Sequence, residues 1–168
     1  MGSPQSFNPR NLIGPGDART YNNLGIDSVT LSMNGKIIAQ GPALLDSASI
    51  NIELKPSAYK AYLETTHAAT SKEFEQHIEV PQDDYKQLGD LRVTIGGKHF
   101  DMNPSAQKWA EVMSGSTAAF MRVGKLEEEH PYEILLGMPF FERFYVDINL
   151  AEEKCGMGKT KFTDSQAI

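Results

Sequence analysis

Apolar and polar positions alternate along much of this chain, and the alternation begins near Tyr21. In LGIDSVTLSM it runs through Ile26, Ser28, Val29 and Leu31, the signature of a strand with one buried face. Asn34–Gly35 then supplies a two-residue hairpin turn, with KIIAQ as the returning strand. PALLD reads as a short buried-type strand running straight into Asp46. SINIEL predicts another strand, with Ile50, Ile52 and Leu54 on one face. The period changes in KPSAYKAYLETT, where Tyr59, Tyr62 and Leu63 share a helical stripe behind Pro56 and Ser57 as start signals.

Further on, PQDDYKQLGD predicts a short helix opened by Pro81 and ended by Gly89, with Tyr85 and Leu88 on one face. LRVTIGGKHFDM is a hairpin with Gly96–Gly97 at its tip, and NPSAQKW begins like a brief helix. Residues 110–126 read as strands around a Gly-Ser turn, followed by the acidic loop EEEHP. YEILLGMPFFERFYVDINL closes the core, and AEEKCGMG supplies a final turn and strand. The fold class is therefore mostly β, built of short antiparallel strands with a few short helices. Residues 1–20 lack periodicity and are rich in Pro, Gly and Asn, which predicts an extended arm; the opening MGSPQS looks like a cloning remnant. Residues 21–160 form the domain, and 161–168 are expected to be a tail. No internal repeat is visible.

Composition narrows the function more than it suggests one. At 168 residues the chain is long enough for one domain with a real core. Its longest apolar runs fall far short of the roughly 20 residues a membrane span needs. Sixteen basic against 22 acidic residues give a net charge of −6, and no basic cluster awaits a phosphate backbone. Neither nucleic acid nor membrane is an expected partner. The lone Cys155 permits no internal disulfide and has no activating neighbour pattern, so it reads as an idle thiol. His67, His77, His99 and His130 show no metal-ligand spacing, and no metal or cofactor is expected. GMGKT at 156–160 is similar to the end of a phosphate-binding loop. Glu153 stands where that pattern needs Gly, though, and only eight residues follow Thr160. The run Glu127–Glu129 reads as a solvated loop, and no nucleophile elbow surrounds Ser116.

Asp46 stands apart. Leu44 and Leu45 deliver it at the end of a strand, and Ser47 and Ser49 offer hydroxyls on both sides, each able to hold a carboxylate oxygen. Far downstream, ILLG ends in Leu136–Gly137, a stretch suited to cross behind such a loop and brace it. A turn aspartate satisfying its own backbone is the plainer alternative.

With these residues in view, the chain resembles the C-terminal lobe of a pepsin-like aspartic protease, most closely the fungal polyporopepsin group. ALLDSASINIEL lies where those enzymes carry their second apolar-apolar-Asp-Thr/Ser-Gly loop. PSAYKAYLETTHA resembles the helix that follows, VPQDDYKQLGDLRVTIGGKHFDMNPSAQKW the helix and hairpin beyond it, and EILLGMPFFERFYVDINLAEEKCGMG the closing motif. The resemblance covers residues 21–159 and implies a single pepsin-type lobe. It also implies an aspartic endopeptidase-like function, a peptide or protein substrate, no cofactor, and a secreted or vacuolar setting, although no signal segment opens this chain. Asp46 takes the catalytic position, supported by Ser47, Ala48, Ser49, Leu136 and Gly137.

In the family, two lobes each give one aspartate, and the pair shares a proton. Here one such loop is present, so the expectation is half of a two-aspartate site. It would be inactive as an isolated monomer, with the second carboxylate coming from another pepsin-type lobe or from a homodimer. The alternative is a non-catalytic, peptide- or protein-binding relative, a pseudoprotease. Ala48 replaces the family's Gly, and its methyl is expected to crowd the loop or the partner lobe, at a greater cost if φ is positive there.

Overall fold

The Asn34–Gly35 turn closes the longest hairpin of the molecule, between β2 (Leu24–Met33) and β3 (Lys36–Leu45). Both turn residues have positive φ, 52° and 75°, the backbone twist that suits tightly joined antiparallel strands. KIIAQ and PALL, expected as two strands, are one continuous strand. A register shift between Ile26 and Val29 breaks the simple alternation of β2, and Val29 is fully buried. This computed structural model describes residues 5–7, 24–72, 75, 77–109, 118–149 and 154–166.

The hairpin is the middle of a seven-stranded sheet. Its other strands are β4 (Ile52–Leu54), β7 (Leu91–Ile95), β8 (Lys98–Met102), β10 (Val123–Lys125) and β11 (Ile134–Leu136). The order is β10-β4-β11-β3-β2-β7-β8. Most neighbours are antiparallel as expected, but β3 pairs parallel with β11 and β4 with β10. SINIEL forms a strand only from Ile52 onward, because Ile50 is still part of the loop and is 55% exposed. Two three-stranded sheets flank this one. β5 (Ala69–Thr70), β6 (Ile78–Pro81) and β9 (Ala118–Met121) form the first, in the order β5-β6-β9. β1 (Gln5–Phe7), β13 (Lys154–Lys159) and β12 (Phe144–Asn149) form the second, in the order β1-β13-β12.

Helix α1 (Pro56–Thr66) starts at Pro56, whose missing N–H is no loss in a first turn, and ends on His67 in the left-handed region. It buries Ala58, Tyr62 and Thr66, while Tyr59 and Leu63 pack more shallowly against the core. Short helices α2 (Gln82–Tyr85) and α3 (Pro104–Gln107) lie near their expected positions, and α4 (Met138–Phe141) is a further short helix inside the closing stretch, which carried no helix expectation. Asn103 caps α3 by accepting the Ala106 N–H at 3.0 Å. The main core carries an aromatic cluster in which Phe144 sits 5.3 Å from Phe100 and 4.9 Å from Phe140. Leu44, Leu126, Tyr132 and Leu135 form a second, smaller cluster.

Residues 160–166 do not trail away. Arg143, fully buried, donates to the carbonyls of Phe162 (2.8 Å) and Ser165 (2.6 Å), and Thr163 returns a hydroxyl bond to the Arg143 carbonyl. The arm read over residues 1–20 lies largely outside the described residues. Its Gln5–Phe7 pairs with β13. Gly115 and Ser116 also lie outside them.

Candidate active site

Leu45 enters the main core and Leu44 the smaller cluster, so β3 is buried on both faces where it ends. That double burial suits a strand with a parallel neighbour. Leu45 sits in register with Leu136 on β11, and one step on, Asp46 donates its N–H to the Leu136 carbonyl at 3.1 Å. Asp46 therefore stands at the shared C-terminal end of two parallel strands, half-buried, with the chain turning immediately after it. Its side-chain Oδ1 accepts the Ala48 N–H at 2.9 Å, and its carbonyl accepts the Ser49 N–H at 3.2 Å. These two local bonds give the loop its shape.

The Leu136–Gly137 segment crosses behind that loop. Met138, just past Gly137, donates its N–H to the Ser49 carbonyl at 2.8 Å. Gly137 itself has an extended backbone, so space and not φ dictates its identity. A Cβ there would sit 2.6 Å from the Ser49 carbonyl oxygen and closer still to that of Asn51. Any side chain would push the two chains apart.

The serines behave differently from expectation. Ser47 is exposed, and the Ser49 hydroxyl lies 3.1 Å from both the Asn51 carbonyl and the Glu53 carboxylate. Among the described residues the Asp46 carboxylate is held by backbone, through Ala48, and by no side chain. Ala48 also escapes the strain expected of it. Asn34 and His67 are the described non-glycine residues with positive φ, and Ala48 is exposed.

Sequence reasoning missed the residues that support the loop from below. Arg122, between β9 and β10, is 7% exposed and meets Glu142 through two contacts, 2.5 Å and 3.1 Å. Its Nε donates to the Ile50 carbonyl at 3.3 Å, and its own carbonyl accepts the Ile52 N–H at 3.0 Å. Nothing local in FMRVGK marks this arginine as buried, because its partner lies beyond the acidic loop. The only available signal was the apolar setting of Phe120, Met121 and Val123 around it.

The remaining candidates are plain. His67 meets Asp84 and His99 meets Thr94 at the surface, His130 packs beside Tyr132, and His77 meets Trp109 edge-on. Burial pushes the Cys155 thiol up to about 11, with Asp147 adding to the shift. GMGK lies in β13 and is followed by a turn, not by the helix a phosphate loop requires. Among the described residues, no group of three or more His, Cys, Asp or Glu could hold a metal, and no helix is long and apolar enough to cross a membrane.

Comparison with known proteins gives this geometry a context. The eukaryotic aspartyl protease family model matches residues 13–160. Polyporopepsin of Irpex lacteus is 22% identical over 134 residues, covering 76% of this chain and 39% of the relative. The crystal structure of the aspartic proteinase from Irpex lacteus matches with a TM-score of 0.77 at 22% identity, over 86% of this chain and 44% of that one. The shared fold is that of a pepsin-like lobe, and this chain spans less than half the length of either relative.

Proposed function

The chain belongs to the eukaryotic aspartyl protease family, and from that premise we propose that it is one lobe of an aspartic endopeptidase, with Asp46 as the single acid it contributes. One observation carries this reading. The Asp46 carboxylate emerges at the end of paired parallel strands, held at 2.9 Å by the Ala48 N–H, in a loop that Gly137 crosses at close range. Such a carboxylate is fixed in space before any substrate arrives.

The chemistry needs a second one. Two close carboxylates cannot both ionise readily, so one keeps a proton at acidic pH. The ionised member removes a proton from water as it attacks the peptide carbonyl. The protonated member donates to the carbonyl oxygen. Asp46 fills one of these roles when another pepsin-type lobe, or a second copy of this chain, presents the other acid. The substrate is a peptide or protein, and the setting is secreted or vacuolar.

A second reading, a peptide-binding pseudoprotease, draws on the Ser49 hydroxyl being turned to Glu53 and on Ala48 in place of glycine. Proteolysis assays of the dilute chain at acidic pH are expected to find negligible cleavage of a denatured protein. Assembly with a complementary lobe should restore cleavage that Asp46→Asn abolishes. Cleavage by the dilute monomer, lost in Asp46→Asn, would refute the half-site. An assembly indifferent to Asp46→Asn favours the pseudoprotease.

A homodimer has a concrete surface to use. β13 is flanked by β1 and β12, so the closing CGMGK segment is not free to pair outward. Among the described residues β12 is the outer strand of its sheet, with Tyr145 and Ile148 exposed. Sedimentation should detect weak association that tightens in acid as carboxylates lose charge. A strict monomer at both acidic and neutral pH would rule the homodimer out and favour the second-lobe arrangement.

A further inference from the structure

We infer that Arg122 is a positioning residue for the Asp46 loop, acting through its ion pair with Glu142; the inference rests on reading that loop as the acid-bearing one. The contacts form a closed ring. Ser49 accepts the Met138 N–H at 2.8 Å, and Met138 opens α4. Glu142, just past that helix, donates its own N–H back to the Met138 carbonyl at 2.9 Å. The Glu142 carboxylate meets the Arg122 guanidinium, and Arg122 Nε returns to the loop at the Ile50 carbonyl, 3.3 Å away. The ring therefore leaves the loop at Ser49 and re-enters it at Ile50. The backbone carbonyl of Arg122 adds a further hold on Ile52 at 3.0 Å.

Packing alone does not fix this half of the loop. Ile50 is largely exposed, and Ser47 and Ala48 face solvent. The first half is held by the Leu136 carbonyl; the second is held by the Met138 N–H, by the Ser49 hydroxyl and by Arg122, which alone links it to Glu142. A guanidinium suits the task because its rigid fork meets a carboxylate with two donors and still offers Nε to a carbonyl. The ring of Trp109 lies 5.0 Å from the guanidinium and supports it from one face. Lysine has the charge and three donors, but all on one nitrogen, so it lacks the planar fork that spans the Glu142 carboxylate and the Ile50 carbonyl together.

Amide hydrogen exchange on the full chain tests this directly, comparing wild type with Arg122→Gln, Glu142→Gln and Arg122→Lys. Loss of a shielded charged hydrogen bond should speed exchange at Ser49 and Met138 by about tenfold, while the β7–β8 hairpin stays unchanged. Arg122→Lys should fall between wild type and Arg122→Gln. Charge alone acts differently. Removing a cation slows hydroxide-catalysed exchange nearby, and removing an anion quickens it. Acceleration in both Arg122→Gln and Glu142→Gln therefore reports positioning. Opposite changes in the two variants, no change at Ser49 and Met138, or equal acceleration throughout the sheet each overturn the inference. If Arg122→Gln does not fold, Glu142→Gln and Arg122→Lys decide the matter by the same amides. Failure of the protease reading is seen separately, as indifference of a two-lobe assembly to Asp46→Asn. In an assembly that does respond, Arg122→Gln should lower kcat about tenfold with KM unchanged.

Discussion

Arg122 and Arg143 are both buried, yet they hold their neighbourhoods by different physics. Arg122 has an anion: the Glu142 carboxylate takes both arms of its fork. Arg143 has none within bonding distance among the described residues. Its guanidinium is held by the carbonyls of Phe162 and Ser165 and by the Ser105 hydroxyl, and burial lowers its pKa from the usual arginine value. A buried pair supplies its own compensation, whereas a buried lone cation takes it from whatever dipoles the chain brings. Arg122 thus depends on one side chain near the site. Arg143 depends on a whole segment, residues 160–166, all but the first of them beyond the family match that ends at 160.

Deleting the residues after Lys159 should have the largest effect. It removes two carbonyl acceptors from Arg143 and both threonine hydroxyls that bond its own carbonyl. The uncompensated buried charge should cost about 3–5 kcal/mol in urea unfolding. Arg143→Met removes the charge along with the need for it, and should cost only about 1–3 kcal/mol for the carbonyls left unpaired. A truncated chain as stable as the full one would break the contrast.

Glu142→Ala comes next. Arg122 loses its anion but keeps the Ile50 carbonyl and the Trp109 face. The Glu142 side chain is a quarter exposed, so water reaches part of the pair. Unfolding measurements should give a loss of about 2–3 kcal/mol, smaller than the truncation. A loss at or above the truncation's would mean that the paired cation, not the lone one, is the more demanding.

These two arginines also mark where the sequence stopped being legible. Strand alternation and turn glycines placed β2, β3, β7 and β8, and proline placed the starts of α1 and α2, because those signals act between close neighbours. The crossing of Leu136–Gly137 behind the Asp46 loop was suggested by the apolar-apolar-Gly ending of ILLG. Ile50 was misplaced because the alternation of SINIEL runs on unbroken across a loop held by hydrogen bonds. The Ser49 hydroxyl was assigned to Asp46 because Glu53 reads as a surface residue in the strand period. Arg122 and Arg143 went unnoticed since each draws its partners from segments about twenty residues away, and TKFTDS reads as a polar tail until its carbonyls are seen to face a cation. Long-range satisfaction of charge leaves no periodic trace.

A third arginine sharpens the contrast from the weak end. Arg92 and Asp101 face each other across the β7–β8 hairpin, with Nε to Oδ1 at 2.6 Å and Nη2 to Oδ2 at 3.1 Å. The geometry is as good as that of the Arg122 pair, but both side chains are exposed, so solvent screening leaves it little weight in stability. Hydrogen bonding to Arg92 is the main cause that lowers the Asp101 pKa, with burial opposing it and nearby positive charge helping. A carboxyl group whose folded pKa is lowered adds stability above its unfolded value, roughly 3.9. That increment fades as pH falls through the unfolded value and is gone below the folded one. Asp101→Asn should therefore lower stability slightly at neutral pH and leave it unchanged in strong acid, so that the two stability curves converge on acidification. Added salt should close most of the neutral-pH gap, which it will not do for Glu142→Ala, whose pair is shielded from ions. Equal salt sensitivity in the two variants would show that burial does not separate Arg122 from Arg92.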